Sequence, residues 1–249
     1  MRSTGSTLSM ILALLCLSAG VATALEGWYT EEEVRFPAMG QTAPYTIVRR
    51  SWYTDDCMRK DEEWKGITIA RFDQDRIYYL EPGLEGYFEI TPEMLQRNAL
   101  TDLKAFGAVE DSRGKLHFPE DLFVRTETRK RIGPWDTYQV MTNPIYRDPQ
   151  RPYMVLWYSH QVDFPVQLLG NQLRQFFGDS PEVKGLFERI RQFEGYPVRT
   201  EAHGLGGTVV TTLRKVEYHK DIDPSMFEVP ENYHQLPTPD QMPGMRPSK

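Results

Sequence analysis

The chain has 249 residues, 40% of them hydrophobic, with 29 basic side chains against 35 acidic ones and a formal charge of −6. That balance, with Arg129-Lys130-Arg131 as the one tight basic run, argues against a nucleic-acid partner and leaves the run as a solvated strand or turn. The length suits one domain, able to bury about 70% of its unfolded surface without disulfides or metals.

The first element is the opening stretch MRSTGSTLSMILALLCLSAGVATALEG. Arg2 gives a short positive region, Met10 to Leu17 is an apolar run, and Ala22-Thr23-Ala24 is an A-x-A site. This pattern predicts a signal peptide over residues 1–24, cleaved after Ala24. The run is too short to span a membrane, which takes about 20 residues. Cys16 raises a lipoprotein alternative, but the bulky Leu15 precedes it, where acylation favours a small residue. Removal of Arg2 takes the 29 basic residues to 28 and the charge to −7. Cys57 is then alone, so neither an intramolecular disulfide nor a cysteine zinc site is available, and burial as an inert thiol is expected.

Four strands of an antiparallel meander are expected at Pro44–Tyr53, Lys65–Phe72, Arg76–Leu80 and Gly86–Ile90, from period-two patterning separated by turn residues. Thr91-Pro92-Glu93 then reads as a helix N-cap, with Met94, Leu95, Ala99, Leu100 and Leu103 at helical spacing. Strands resume at Leu122–Lys130, Trp135–Met141 and Tyr153–His160, broken by a proline-bounded loop over Asn143–Pro152. Two helical regions follow. Asp163–Phe177 carries Leu168, Leu169, Leu173, Phe176 and Phe177. The second is capped by Ser180, with Pro181 and Glu182 in its first turn, a stripe of Val183, Leu186, Phe187, Ile190 and Phe193, and Gly195 at its end.

A last hairpin pairs Tyr196–Ala202 with Thr208–Tyr218 around His203-Gly204-Leu205-Gly206-Gly207. In its second strand Val209, Thr211 and Leu213 share one parity while Val216 and Tyr218 carry the other. One extra residue near Arg214-Lys215, a β-bulge, reconciles them. From Leu236 onward the proline-rich tail, residues 236–249, has no periodicity and is expected to be disordered. The domain is therefore expected over residues 25–235.

Known catalytic motifs are absent: no G-x-S-x-G, H-E-x-x-H, S-x-x-K or phosphate loop occurs. The glycines of His203–Gly207 open a strand and not a helix, so a hairpin loop is the better reading than an anion cradle. Of the five histidines, His203 and His219 alone are candidates to approach across the last hairpin, short of the three or four ligands a metal needs. Asp55, Asp56, Asp61, Glu62 and Glu63 lack the glycine of a calcium loop and read as a solvated loop. No cofactor is implied. The strands are rich in aromatic residues, which supply either cross-strand core pairs or the lining of a cavity for an apolar ligand.

The order of segments resembles the LolA/LolB-like lipoprotein-carrier superfamily, and within it an exported bacterial branch that carries a domain of unknown function. The residues behind this are YTIVRRSWYTDDCMRKDE and KGITIARFDQDRIYYLEPGLEGYFEI in the meander, WDTYQVM, MVLWYSHQVDFP, and FEGYPVRTEA with TTLRKVEYHKDIDPSMFEVPENY at the end. The resemblance implies an α+β fold, an incomplete antiparallel β-barrel with helices packed on its concave face. It makes Phe227, Val229, Pro230 and Tyr233 a sheet-closing clasp. It further implies a periplasmic, non-enzymatic binding protein for a hydrophobic or lipid-like ligand. The rival reading is a structural or protein-interaction module of the envelope whose cavity its own helices fill. On the binding reading the expected lining is Tyr45, Ile47, Ile67, Ile69, Tyr79, Phe88, Leu156 and Tyr158.

Overall fold

The computed structural model describes residues 24–38, 40, 42–91, 94, 108–112, 116–146, 153–177, 181–204 and 206–237. The expected signal peptide, the helix beyond Met94 and the tail past Pro237 lie outside the described residues. So do the side chains of Leu173, Phe176, Phe177, Val183, Leu186 and Phe187.

Among the described residues the strands are β1 (Leu25–Phe36), β2 (Tyr45–Tyr53), β3 (Cys57–Glu62), β4 (Gly66–Arg71), β5 (Arg76–Glu81) and β6 (Gly86–Ile90). They continue with β7 (Val109–Glu110), β8 (Leu116–His117), β9 (Phe123–Ile132), β10 (Trp135–Thr142) and β11 (Tyr153–Ser159). After the helices α1 (Val166–Phe177) and α2 (Pro181–Arg191) come β12 (Tyr196–Gly204), β13 (Gly207–Ile222) and β14 (His234–Gln235). Twelve of them form one curved, open sheet in the order β14-β6-β5-β4-β3-β2-β1-β13-β12-β11-β10-β9, while β7 and β8 pair separately. It is two meanders, β1–β6 and β9–β13, joined along β1 and β13.

Two strands of the first meander were hidden by charge. β1 carries Glu31, Glu32 and Glu33, and β3 carries Arg59, Lys60, Asp61 and Glu62. The acidic run read as a solvated loop is thus partly strand. The physical reason is pairing across the sheet: Arg49 bridges Glu32 at 3.3 Å and Glu62 at 2.7 Å, and Arg50 meets Glu31 at 3.4 Å. Opposite charges on facing residues stabilise a strand that composition disfavours.

The bulge is where the phase slip required it. Lys215 pairs with Glu31 and Leu213 with Glu32, so Arg214 is the extra residue. β13 also runs on to Ile222, four residues past the expected Tyr218, because β1 offers a partner along its whole length. Further irregularities fall between Trp157 and Tyr158 where β11 meets β12, and between Tyr138 and Val140 where β10 meets β9. Each adds local twist, which bends a sheet this wide.

One face of the sheet carries the helices. Phe164, just before α1, packs on Trp28, Tyr53 and Tyr196 with ring centroids 5.7, 5.4 and 5.0 Å apart. Val166 and Leu169 of α1 join that cluster with Val198 and Leu213. Ile190 of α2 and Phe193 after it pack against Tyr138, Val140, Leu156 and Tyr158. Gln172 of α1 donates from Nε2 to the carbonyl of Thr54 at 2.7 Å and is itself buried, which ties the helix to the first meander.

The opposite face of the first meander is covered by the C-terminal clasp. Phe227 is 1% exposed and packs with Ile69, Leu80, Cys57 and Ile222, with Met226, Val229 and Tyr233 around it. Arg59 fixes the clasp by donating to the Met226 carbonyl at 2.8 Å. Burial pushes the Cys57 thiol above its ordinary pKa. β14 then adds to β6 in parallel, and Leu236 donates its N–H to the Tyr87 carbonyl at 2.7 Å, so the ordered chain reaches past Gln235. The first residues of this edge strand, Gly86 and Tyr87, are thereby paired.

Candidate functional site

Cross-strand registers divide the residues expected at a site. Tyr45 and Ile47 share a face with Val34 and Arg49. Through the ladder β2-β3-β4-β5-β6 that face includes Thr68, Tyr79 and Phe88. Leu156 and Tyr158, opposite Val140 and Tyr138, lie on it at the other end of the sheet. Ile67 and Ile69 point to the opposite face, beneath the clasp. The eight residues are therefore spread over three places. Tyr79 packs near Phe88 and donates its hydroxyl to the Lys65 carbonyl, Tyr45 stacks on Phe36 at 4.8 Å, and Ile47 is 1% exposed in the core. Of the set, Tyr158 alone lines the cavity described next.

That cavity, about 460 Å³, lies between α1, the end of α2 and the strands β11 and β12. Its size falls within the roughly 300–1,000 Å³ of small-molecule pockets. Tyr158, Val162, Phe164 and Tyr196 form its buried floor, Leu169, Ile190 and Phe193 its apolar walls, and Gln167, Arg191 and Glu194 its exposed rim. Two glycines shape it. Gly195, at φ +93°, presses the chain against Ser159, where any Cβ would collide with the Ser159 carbonyl. Gly170 thins the α1 wall, leaving a prospective Cβ 3.6 Å from the Arg191 side chain.

The floor carries one polar atom of interest. The Tyr158 ring is 2% exposed, and among the described residues its hydroxyl has no hydrogen-bond partner. Burial, followed by the neighbouring Tyr138, holds its pKa well above the ordinary tyrosine value, so it is a neutral donor at any physiological pH. Tyr138, stacked on Tyr158 at 5.8 Å, by contrast spends its hydroxyl on the Glu194 carbonyl at 2.6 Å. The arrangement can enclose an apolar chain, while the Tyr158 hydroxyl has no accessible surface and would have to be uncovered before it could donate to a ligand oxygen.

Elsewhere the same face is polar. Arg49, Glu32, Glu62 and Lys60 form a network at β1–β3 beside Ser51 and Thr30. Burial raises Glu32 above the usual carboxylate range despite Arg49, and burial lowers Lys60. The two histidines of the last hairpin do not approach each other. His203 faces Thr208 in the register, bonds to it at 2.9 Å and stacks on Tyr153, while His219 lies against Tyr29 and Glu217. Among the described residues no three His, Cys, Asp or Glu side chains gather as metal ligands.

Several of the cavity residues were missed in the sequence because they sit on connectors. Val162 and Phe164 precede α1, and Phe193–Gly195 link α2 to β12. The usable signals were the proline exit of QVDFP and the glycine at 195.

No family model and no curated protein matches the chain. The solved structures it is similar to include PNGF-II in the C2 space group, at 8% identity over 85% of this chain and 31% of that one, with a TM-score of 0.39. They also include the LolA superfamily protein NE2245 from Nitrosomonas europaea, at 10% identity over 82% of this chain and 90% of that one, TM-score 0.34. A further one is a putative outer membrane lipoprotein-sorting protein domain from Vibrio parahaemolyticus, at 8% identity over 81% and 88%, TM-score 0.32. The chain spans about a third of the length of PNGF-II.

Proposed function

We propose that this chain is a non-enzymatic binding protein of the cell envelope, exported to the periplasm by cleavage after Ala24, and that it holds a hydrophobic or lipid-like ligand. The domain over residues 25–235 is a half-barrel with its helices in the concave side, and the ligand lies in the cavity between α1, α2 and β11–β12. The observation that carries this reading is the cavity itself: an apolar space of about 460 Å³ floored by Tyr158, Val162, Phe164 and Tyr196. The site is accordingly proposed at Tyr158, Phe164, Leu169, Ile190, Phe193 and Tyr196, with Tyr158 the member common to the sequence expectation.

Denaturing extraction of the purified protein followed by lipid mass spectrometry tests the proposal. A co-purifying amphiphile in near-stoichiometric amount is expected. An empty extract, together with no uptake of added fatty acid, would remove it.

The interaction-module reading has its own observation. Trp64 is 82% exposed in the β3–β4 turn at φ 62°, and Leu84 is 60% exposed in the β5–β6 turn at the same end of the sheet. Large apolar groups held at hairpin tips suit contact with another envelope component.

A further inference from the structure

A second concavity lies on the other side of Tyr138. It measures about 640 Å³ and is lined by Arg125, Arg129, Arg131, Asp136, Tyr138 and His160, among others. The register places Arg129 opposite Tyr138, Arg125 opposite Val140 and Arg131 opposite Asp136, so all three arginines project from the helix-bearing face of β9. Arg125 lies over the Tyr138 ring at 4.0 Å. Among the described residues no carboxylate comes within ion-pair distance of Arg125, Arg129 or Arg131. Lys130 also lines the cleft, but its ammonium lies over Trp157 and 3.9 Å from Glu201. With Lys130, four cations against Asp136, whose side chain accepts from Gln161, leave the cleft three charges positive.

Charge on an edge strand has a structural use, since it deters pairing with another sheet. That use accounts for charges of either sign along β9. It does not account for three unpaired arginines on one face of the strand, nor for where they sit. The wall between this cleft and the apolar cavity is a single pair of rings, Tyr138 on the cleft side and Tyr158 on the cavity side, stacked at 5.8 Å. His160 stacks on Tyr138 at 5.4 Å and approaches Glu194, a rim residue of the cavity, at 4.0 Å. His160 and Gln161 line the cleft, and Val162 lines the cavity, so the two sites meet along one turn of chain.

We infer that the arginine cleft binds the phosphate of an anionic amphiphile whose acyl chain occupies the cavity beside it. This rests on the cavity reading proposed above and adds the chemical class of the headgroup. Guanidinium groups pair with phosphate oxygens through two parallel hydrogen bonds, which a neutral headgroup cannot match.

The test compares palmitoyl lysophosphatidic acid with the monoacylglycerol of the same chain by calorimetry, with inorganic phosphate as a third ligand. The wild-type protein and the double variant Arg129→Gln, Arg131→Gln are both titrated. These side chains are exposed, and an unchanged melting temperature verifies the fold of the variant. The phosphate amphiphile is expected to bind about tenfold more tightly than the neutral one, a preference that added salt reduces. The double variant should lose that preference and keep its affinity for the monoacylglycerol. Equal binding of both amphiphiles to the wild type, or a preference that survives in the variant, overturns the headgroup inference and leaves the cavity reading intact. Failure of both amphiphiles to bind overturns the cavity reading, and this inference with it. Inorganic phosphate binding as tightly as the phosphate amphiphile makes the cleft a free-phosphate site and overturns the assignment to a lipid.

Discussion

One face of the sheet has two characters. Under α2, at β10 and β11, it presents Tyr138, Val140, Leu156 and Tyr158, all buried with the helix side chains Ile190 and Phe193 against them. At β1–β3 the equivalent positions are Thr30, Glu32, Arg49, Ser51, Lys60 and Glu62. The first region encloses an apolar cavity, and the second pairs half-buried charges with one another. An acyl chain is therefore expected in only one half of the molecule, and the polar half serves to hold β1, β2 and β3 together. Buried ion networks of this kind add little net stability but are costly to break, since removing one partner strands the other.

This contrast can be broken most severely at Arg49. Arg49→Met leaves Glu32 and Glu62 facing each other without their shared cation, and a loss of about 3–5 kcal/mol is expected by denaturant unfolding. Ligand binding by the folded fraction should be unaffected. A variant as stable as wild type would mean that water, not Arg49, solvates these carboxylates.

The clasp is the next largest. Phe227→Ala empties a 1% exposed site among Ile69, Leu80 and Ile222, and about 3 kcal/mol is expected from the lost burial and the cavity left behind. Because the clasp covers the face away from the helices, affinity for a fatty acid should not change. Loss of binding without loss of stability would show that the ligand lies beneath the clasp instead.

Tyr158→Phe separates stability from function in the apolar half. The hydroxyl has no partner among the described residues, so its removal should leave stability unchanged or raise it by about 1 kcal/mol, and a ligand that weakens by a similar amount would show that binding uncovers it. A clear destabilisation would reveal a partner for that hydroxyl in the unliganded protein.

The smallest effect belongs to Glu32→Gln. Burial raises this carboxylate, so the folded state favours its protonated form. Its contribution to stability is full below the unfolded value of about 4.5 and is lost as pH rises through the higher folded value. Glutamine imitates the protonated acid. The variant should match wild type at acid pH and gain on it by a fraction of a kcal/mol as pH rises above about 4.5, measured by thermal melts across pH. A variant that falls behind wild type at neutral pH would mean that the pair with Arg49 outweighs burial.

How much of this was legible follows the same division. Where apolar residues alternate with little interruption, as in TIVRRSWY, YMVLWYS and VVTTLRKVEY, strands, faces and even the Arg214 bulge were readable. The Thr91 hydroxyl, expected to cap a helix that lies outside the described residues, accepts the Met94 N–H at 3.3 Å. β1 and β3 were not, because their pairing energy comes from partners far along the chain and not from their own composition. The lining of the cavity was illegible for a related reason. Phe164, Phe193 and Tyr196 converge from connectors and a strand end, and period-two or helical spacing says nothing about where such residues meet. The β11–β12 register slip after Trp157 further decouples parity from position there.

The central claim is that an acyl chain occupies the cavity between α1, α2 and β11–β12. It is tested most directly by titrating a fatty-acid fluorophore into the delipidated wild-type protein and into Gly170→Leu. A Cβ at this helical position has the Arg191 guanidinium as its nearest neighbour at 3.6 Å, and leucine there fills part of the cavity and adds about 1 kcal/mol of helix propensity. The account predicts micromolar binding to the wild type, about −8 kcal/mol, and at least a tenfold loss in a variant that melts no lower. Equal binding by the two proteins would contradict the cavity as the site, and no binding by the wild type would contradict the proposed function itself.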